Sequence, residues 1–291
     1  SATCSKPMAP PRQFVELGDS RSMLPVVNSR PGIPPLRPMA QNKRWLGPSA
    51  APLNGKTKAM AIPTRDQPLP TGDDKVASVR TMFDTIAPRY DLVNRIMTFG
   101  LDVRWRNRTI KDLALPTGSV IADLACGTGD FCRTLEDRGH SPIGFDLAFG
   151  MLAHARTAAP LVHADALRLP LHDSAVDGVT CGFALRNFVE LEPFFQELAR
   201  ITRPGGRIAL LDVSRPKSRI LRFGYDIYFG KVVPLIGGLL SNSDAYHYLP
   251  RSLSYLPAPE VLSEQVKAAG FSMVEHHQLN GGLVQLITAT R

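Results

Sequence analysis

The chain lacks the long apolar runs and the cysteine patterns that define several large classes of protein. No run of 18 or more apolar residues occurs, and the most apolar stretch, residues 232–240, is broken by Pro234. A membrane-spanning helix is therefore not expected. The four cysteines show no CxxC spacing and no histidine at zinc-ligand distance. The sequence thus predicts neither a disulfide framework nor a metal site, and a reducing compartment fits it best.

Acidic residues are scarce in only one part of the chain. Residues 1–65 hold ten Lys or Arg and two acids, a net charge of +8, whereas residues 66–291 hold 24 of each and are neutral. A nucleic-acid groove needs clustered positive charge on the folded part, so no nucleic-acid partner is expected.

Residues 1–72 have the pattern of a disordered, proline-rich, basic tail, because prolines recur throughout and no helical or strand period is sustained. Two origins stay open for this tail. It is either an extension or linker outside the domain, or an organelle transit segment. The folded domain is predicted over residues 73–291.

Strand and helix patterns alternate from about Lys75 onward. Apolar strands such as "SVIADLA", "PIGFD", "LVHAD" and "VDGVTCGF" are separated by helical segments such as "DFCRTLEDRG" and "LEPFFQELARIT". This alternation predicts an α/β domain with a doubly wound, mainly parallel sheet. In such sheets a ligand lies at the carboxyl ends of the strands, so the residues that end each strand are the candidates for a site.

The first strand ends in "ADLACGTGD", which places Asp123 before a loop containing Gly127, Thr128 and Gly129. A dinucleotide fingerprint needs a third glycine where this chain has Cys132, and the lysine of a phosphate loop is also missing. A pyrophosphate is therefore poorly provided for. A nicotinamide-dependent oxidoreductase is the less favoured reading for the same reason.

Two further acids end the next two strands. Asp146 can accept hydrogen bonds from both hydroxyls of a ribose, while Asp165 and the amide of Ala166 suit the edge of an adenine. Acids at successive strand ends, with no cation among them, suit a positively charged ligand that has an amine and no phosphate. S-adenosylmethionine, a sulfonium, is such a ligand. The alternative is that these acids only cap turns.

Five segments carry a more specific resemblance, in order and in spacing. They are "TMFDTIAPRYDLVNRIMTFGLDVRWR", "IADLACGTGD", "CGFALRNF", "ARITRPGGRIALLDVS" and "NSDAYHYLPRSLSYLP". Over roughly residues 75–291 the chain resembles the ubiquinone/menaquinone biosynthesis C-methyltransferase family. The resemblance implies a Rossmann-like, class I S-adenosylmethionine-dependent methyltransferase with a seven-stranded sheet and a helical lid.

The implied reaction is methylation of a ring carbon of a prenylated quinol, either demethylmenaquinol or the benzoquinol of the ubiquinone pathway. Another phenolic or amine acceptor is the alternative. The resemblance places Thr128, Asp146, Asp165, Ala166 and Gly182 at cofactor-contact positions. It also implies a location in the cytoplasm, peripheral to the inner membrane face, or in the mitochondrial matrix or a plastid if residues 1–59 are a transit segment.

The acceptor needs a donor that favours its phenolate, and Arg186, with Asn187 as a neutral partner, is the candidate. The alternative for Arg186 is an ion pair with a local carboxylate such as Glu190. Tyr90, Asn94 and Tyr246 belong to the segments that resemble the lid, and they are candidates for contact with the substrate.

The segment "ILRFGYDIYFGKVVPLIGGLL" is expected to form an apolar entrance for the prenyl tail, a peripheral membrane contact, or a buried helix pair. A homodimer and a monomer both stay open. Three positions depart from the family pattern: Cys126 stands for glycine or alanine, Gly182 for serine, and Asp212 for glutamate.

Overall fold

The structure is a computed structural model that describes Phe14–Val15, residues 68–216 and 218–233, Tyr248 and residues 251–291. Most of the basic tail lies outside these residues, so its disorder stays a prediction. Within the tail, Phe14–Val15 is a strand that pairs in parallel with Leu161–Val162, where no element was predicted.

One sheet organises the domain, and its strands are β1 Phe14–Val15, β2 Val120–Leu124, β3 Ser141–Asp146, β4 Leu161–His163, β5 Val176–Gly182, β6 Thr202–Val213, β7 Ser272–Leu279 and β8 Val284–Thr290. Their order is β1-β4-β3-β2-β5-β6-β8-β7. All pairs up to β6 are parallel, and β8 is antiparallel to both of its neighbours. The predicted doubly wound, mostly parallel sheet of seven strands is confirmed, and the two-residue β1 adds an eighth at its edge.

The α-helices are α1 Gly72–Ile86, α2 Tyr90–Met97, α3 Leu101–Leu113, α4 Asp130–Glu136, α5 Phe149–Ala153, α6 Leu191–Ile201, α7 Arg219–Ile227 and α8 Pro259–Ala268. Pro88 begins a short 3-10 turn between α1 and α2, because proline lacks the amide that a continuous helix requires. A second 3-10 turn, Leu185–Asn187, follows β5. None of the described helices has both the length and the apolarity needed to cross a bilayer.

Helices cover both faces of the sheet, which explains why its strands are apolar on both sides. In β2, the fully buried Ile121 packs in one cluster with Leu113 of α3, whereas the adjacent Ala122 packs in another with Leu198 of α6. Successive side chains of a strand point to opposite faces, so one strand feeds both layers of the core.

The strand order reverses between β2 and β5, which opens a crevice at the carboxyl ends of the strands. Helices α1 and α2 form a lid that is attached to this end of the sheet. Asp84 of α1 accepts a hydrogen bond from the amide of Gly150 at 2.7 Å, and Asp91 of α2 accepts one from the hydroxyl of Thr128. The lid therefore rests on the loops that follow β2 and β3.

Candidate functional site

A cavity of about 160 Å³, called the strand-end cavity, lies at the carboxyl ends of β2 to β5 under the lid. Its lining brings together six of the predicted cofactor residues: Gly127, Thr128, Asp146, Asp165, Ala166 and Gly182. These residues come from four separate loops. The strand-end rule thus gathers them in space as expected.

Asp146 connects the loops after β2 and β3. Its Oδ2 accepts from the amide of Gly127 at 2.7 Å, and its Oδ1 accepts from the amide of Ala148 at 2.8 Å. Burial raises the pKa of this carboxyl to about 6, although the two amides act in the opposite direction. Gly127 has φ of 57°, which favours glycine, and an added Cβ would lie 3.3 Å from the Met151 side chain.

Asp123 does not line the cavity, contrary to its prediction as a cofactor residue. It is 1% exposed beneath the loop, and it accepts hydrogen bonds from the Thr180 hydroxyl at 2.8 Å and the Cys132 thiol at 3.4 Å. Burial raises its pKa to about 7. Its side chain points into the sheet rather than out of the strand end.

Gly129 is also absent from the cavity lining. With φ of 82° it forms the left-handed turn immediately before α4. An added Cβ would approach Thr157 Cγ2 to 2.8 Å. Its glycine is therefore explained by the turn and by close packing.

Thr128 lines the cavity, but its hydroxyl hydrogen is already used. The hydroxyl donates to Asp91, the residue between Tyr90 and the rest of the "YDLVN" motif. Sequence reasoning assigned Tyr90 and Asn94 in this motif and missed the acid. The side-chain oxygen of Thr128 keeps its capacity to accept.

The adenine-edge prediction is matched by donor geometry at Ala166. The carboxylate of Asp165 is exposed and accepts from the amide of Leu167 at 2.9 Å. Within the described part of the chain, the amide of Ala166 has no hydrogen-bond acceptor, although Ala166 is 7% exposed. A donor and an acceptor thus stand side by side at this edge of the cavity.

The glycine at position 182 has a local cause. An added Cβ would lie 2.4 Å from a ring carbon of Phe131, which is far below van der Waals contact. The Phe131 ring occupies the space that a serine side chain would need. This departure from the family pattern is therefore a packing exchange between two residues that line the same cavity.

Cys126 lies in an apolar cluster below the loop with Cys132, Leu152 and Leu161. Its sulfur would lie 2.8 Å from a Cβ added to Gly144 on β3. The thiol is thus a small apolar group packed against a bare strand backbone, and burial contributes to raising its pKa to about 11. Such a thiol is protonated and unreactive at neutral pH.

Two charged residues of the strand-end cavity were not predicted. Arg106 of α3 and Asp130 at the start of α4 both line it and form an ion pair at 2.9 Å. Arg106 is read from the sequence only as part of "DVRWRNR". Its spacing of four residues from Asp102 was the available signal, because residues four apart share a helix face.

A second cavity of about 400 Å³, called the apolar cavity, lies beside the first, between α2, α3 and α7. Most of its lining residues are aliphatic or aromatic, including Met82, Met97, Phe99, Trp105, Ile220 and Leu221. Arg186 is the cation among its lining residues. The predicted catalytic residue therefore faces this cavity rather than the strand-end cavity.

Arg186 is held by Asp212 of β6, not by Glu190. Its Nη1 donates to the Asp212 carboxylate and, at 2.8 Å, to the Phe183 carbonyl, while its own amide donates to Asp212 at 3.2 Å. Burial alone would lower the pKa of the guanidinium, but the facing Asp212 outweighs burial and raises it. The Nε of Arg186 is buried and has no partner among the described residues.

The two cavities share the side chains of Phe83, Tyr90, Asn94 and Phe183 as a common wall. Tyr90 and Asn94 thus lie where predicted, at the boundary of cofactor and acceptor. Asn187 lines the strand-end cavity, and its Oδ1 has no partner in the described part of the chain. Tyr246 lies outside the described residues.

The strand-end cavity suits a sulfonium cofactor on its own chemistry. Asp146 and Asp165 supply acceptors, Ala166 supplies a free donor, and Gly127 lets the backbone approach closely. Among the residues that the structure describes, no group of three or more His, Cys, Asp or Glu could hold a metal ion.

Comparison with known proteins agrees with this fold and site. The model of the ubiE/COQ5 methyltransferase family matches residues 71–291. The demethylmenaquinone methyltransferase of Thermus thermophilus is 44% identical over 221 residues, which covers 72% of this chain and 100% of that protein. The ubiquinone/menaquinone biosynthesis C-methyltransferase UbiE of Syntrophotalea carbinolica is 37% identical over 224 residues, covering 73% of this chain and 93% of that protein.

A solved structure from Thermotoga maritima, described as an S-adenosylmethionine-dependent methyltransferase and possible histamine N-methyltransferase, shares the fold. Its TM-score is 0.53 at 19% identity, and the match covers 72% of this chain and 98% of that one.

Proposed function

The chain belongs to the ubiE/COQ5 methyltransferase family, and on that premise we propose that it methylates a ring carbon of a prenylated quinol, with demethylmenaquinol as the preferred acceptor. It is an S-adenosylmethionine-dependent methyltransferase. The preference for a naphthoquinol rests on relatives such as that of Thermus thermophilus, whose name specifies demethylmenaquinone.

One observation carries the proposal, namely two cavities of opposite character that meet at one wall. The strand-end cavity contains acids and free backbone groups, whereas the apolar cavity is aromatic and aliphatic with Arg186 on its lining. A polar, cationic cofactor fits the first, and a flat ring with a hydrocarbon tail fits the second. The shared wall at Tyr90 and Asn94 is where donor and acceptor would face each other.

Arg186 is proposed to stabilise the phenolate form of the acceptor hydroxyl, whose proton passes to water. Its Nη1 is fixed by Asp212, which leaves the buried Nε–H for the substrate. A cation in an apolar cavity favours the ionised hydroxyl strongly, because little water screens it. When bound, S-adenosylmethionine supplies the methyl group on a sulfonium, which is already a good leaving group.

The remaining predicted residues take supporting roles in this proposal. Thr128, Asp146, Asp165, Ala166 and the backbone at Gly127 would hold the cofactor. Tyr90 and Asn94 would orient the ring at the shared wall, and Asn187 would contact the cofactor side through its unpartnered Oδ1. All of them act by positioning and by excluding water.

The test is methyl transfer by the purified chain to reduced demethylmenaquinone, to the demethylated benzoquinol, and to a simple phenol. We expect the naphthoquinol to give the highest kcat/KM. Arg186→Met should lower turnover at least about 100-fold and leave the affinity for S-adenosylhomocysteine unchanged. Methylation of the simple phenol alone would contradict the proposed acceptor, and wild-type turnover of the Arg186 variant would contradict the role of Arg186.

We also propose that the mouth of the apolar cavity rests on a membrane surface. An exposed set of apolar side chains, called the apolar rim, surrounds this mouth: Leu92, Ile96, Phe99, Ile220, Leu221 and Phe223. Ile220 is 84% exposed and Phe99 is 77% exposed. The occupant that we propose is an anionic bilayer, because the exposed Arg89, Arg95 and Arg219 alternate with the rim and a prenyl tail resides in lipid.

Co-sedimentation with anionic vesicles tests the apolar rim. Leu92→Ser with Phe223→Ser should reduce vesicle binding at least about fivefold, because each removes apolar area outside the cavity lining. Met273→Ser is the matched control, since Met273 is 75% exposed on β7, away from the rim. Equal binding of the two variants would contradict the proposal. The predicted homodimer and the cellular location stay predictions.

A further inference from the structure

The wall of the strand-end cavity formed by α3 and α4 has a buried pair of opposite charges. Arg106 is 5% exposed, yet it lines the cavity, and Asp130 lines it beside Arg106. The guanidinium uses Nη1 for Asp130 at 2.9 Å and Nη2 for Asp102 at 2.6 Å. A guanidinium has five N–H groups, so this arrangement leaves donors for a further acceptor.

The ion-pair network around Arg106 has one positive charge in excess. Its carboxylates are Asp102 and Asp130, and its cations are Arg106, Arg133 and Arg95, the last at 3.8 Å from Asp102. Three cations face two anions. An added carboxylate would therefore balance the network without leaving a buried charge unpaired.

We propose that Arg106 binds the α-carboxylate, and Asp130 the α-ammonium, of the amino-acid end of the cofactor. This inference rests on the proposed function. The acids after β3 and β4, Asp146 and Asp165, are suited to the ribose and the adenine. The Arg106–Asp130 pair lies beside the loop after β2 and is complementary to a zwitterion.

Arg80 is the other cation of the cavity lining, and its position does not suit this role. It lies on α1 and pairs at 3.9 Å with Asp84, which binds the amide of Gly150 in α5. That places Arg80 on the β3 side, with the nucleoside acids. The zwitterion subsite is thus assigned to the β2 side of the cavity.

A site built this way discriminates between ligands that differ only in the amino-acid end. Adenosylhomocysteine carries that end, and 5′-methylthioadenosine lacks it while keeping the adenosine and the thioether. A buried charge that loses its ligand partner makes binding of the truncated ligand weak. The ratio of the two affinities therefore reports the subsite separately from the rest of the cavity.

The experiment is titration calorimetry of both ligands with the full chain and with Arg106→Met, Arg106→Lys and Asp130→Asn. We expect Arg106→Met to lower the ratio at least about tenfold, with 5′-methylthioadenosine bound as tightly as by the wild type. The lysine variant should retain part of the ratio, since an ammonium still pairs with a carboxylate. Asp130→Asn should lower the ratio as well.

Arg133→Met is the matched control, because Arg133 also pairs with Asp130 but does not line the cavity. Its ratio should stay within about threefold of the wild-type value. An equal loss of both ligands in Arg106→Met, or an unchanged ratio, would overturn the inference. Wild-type protein that binds neither ligand would instead overturn the cofactor assignment in the proposed function.

Discussion

At the residue scale, Asp146 is a buried acid that must be ionised to accept hydrogen bonds from a ribose. Burial raises its pKa to about 6. Below that pH the protonated form dominates before a ligand arrives. We therefore expect the affinity for S-adenosylhomocysteine to fall by up to about tenfold per pH unit below pH 6. Calorimetry between pH 5 and 8 measures this, and Asp146→Asn should bind weakly with no such slope.

Asp123 predicts a pH dependence of stability with its own sign. Its folded-state pKa is about 7 against an ordinary value of 3.8, so the folded chain binds more protons between these values. The free energy of unfolding should then fall as the pH rises from 4 to 7, by at most about 1.4 kcal/mol per unit. Urea unfolding of wild type and Asp123→Asn isolates this part, because Asp146 titrates in both. Parallel curves would contradict the prediction.

Gly182 and Phe131 should be coupled in stability. Gly182→Ser places its Cβ against the Phe131 ring, and we expect a loss of about 1–3 kcal/mol in the free energy of unfolding. Phe131→Leu shortens the opposing side chain, so the double variant should recover part of that loss. Additive losses in a double-mutant cycle would show that the two positions are independent.

At the scale of elements, the lid is tied to the catalytic turn by Lys75. Its ammonium donates to the Phe188 carbonyl at 2.6 Å and lies 3.6 Å from the centre of the Tyr255 ring. Lys75→Met removes both contacts, and we expect limited trypsin cleavage of α1 and α2 to become several times faster. Lys267→Met is the control, since Lys267 only pairs with Glu264 on the surface. Equal cleavage rates would remove Lys75 as the tie.

The elements themselves could be predicted from the sequence because they follow local patterns. Seven strands and their helices were predicted from periodicity, and Pro88 marked the break in the lid. The sequence does not show which way a side chain points at a strand end, and so Asp123 was assigned to the cavity while it lies beneath it. The partner of Arg186 is 26 residues away in Asp212, whereas the local candidate was Glu190.

The charged pair of the strand-end cavity was missed for the same physical reason. Arg106 and Asp130 lie on different helices, and only the packing of α3 against α4 brings them together. The contact between Asp91 and Thr128 likewise joins residues 37 positions apart. Local spacing predicts elements well, but a site assembled from several elements depends on their packing.

At the scale of the whole molecule, the basic tail and the cofactor site should be independent. The strand-end cavity is lined by residues between Val76 and Val189. Residues 68–291 hold 24 basic and 23 acidic side chains, so truncation removes most of the net charge. We expect the truncated chain to bind S-adenosylhomocysteine within about threefold of the full chain, because charge outside the cavity is screened by salt. A large loss by calorimetry would show that the tail contributes to the site.

The position of β8 has a consequence for how the chain acquires its fold on the ribosome. β8 pairs with both β6 and β7, yet it begins about 70 residues after β6 ends. During synthesis, β6 waits with one edge unpaired while α7, α8 and β7 emerge. A nascent or stalled chain that ends before residue 284 would display that apolar edge to other chains. Quality control should therefore recognise translation products truncated before β8 far more readily than full-length ones.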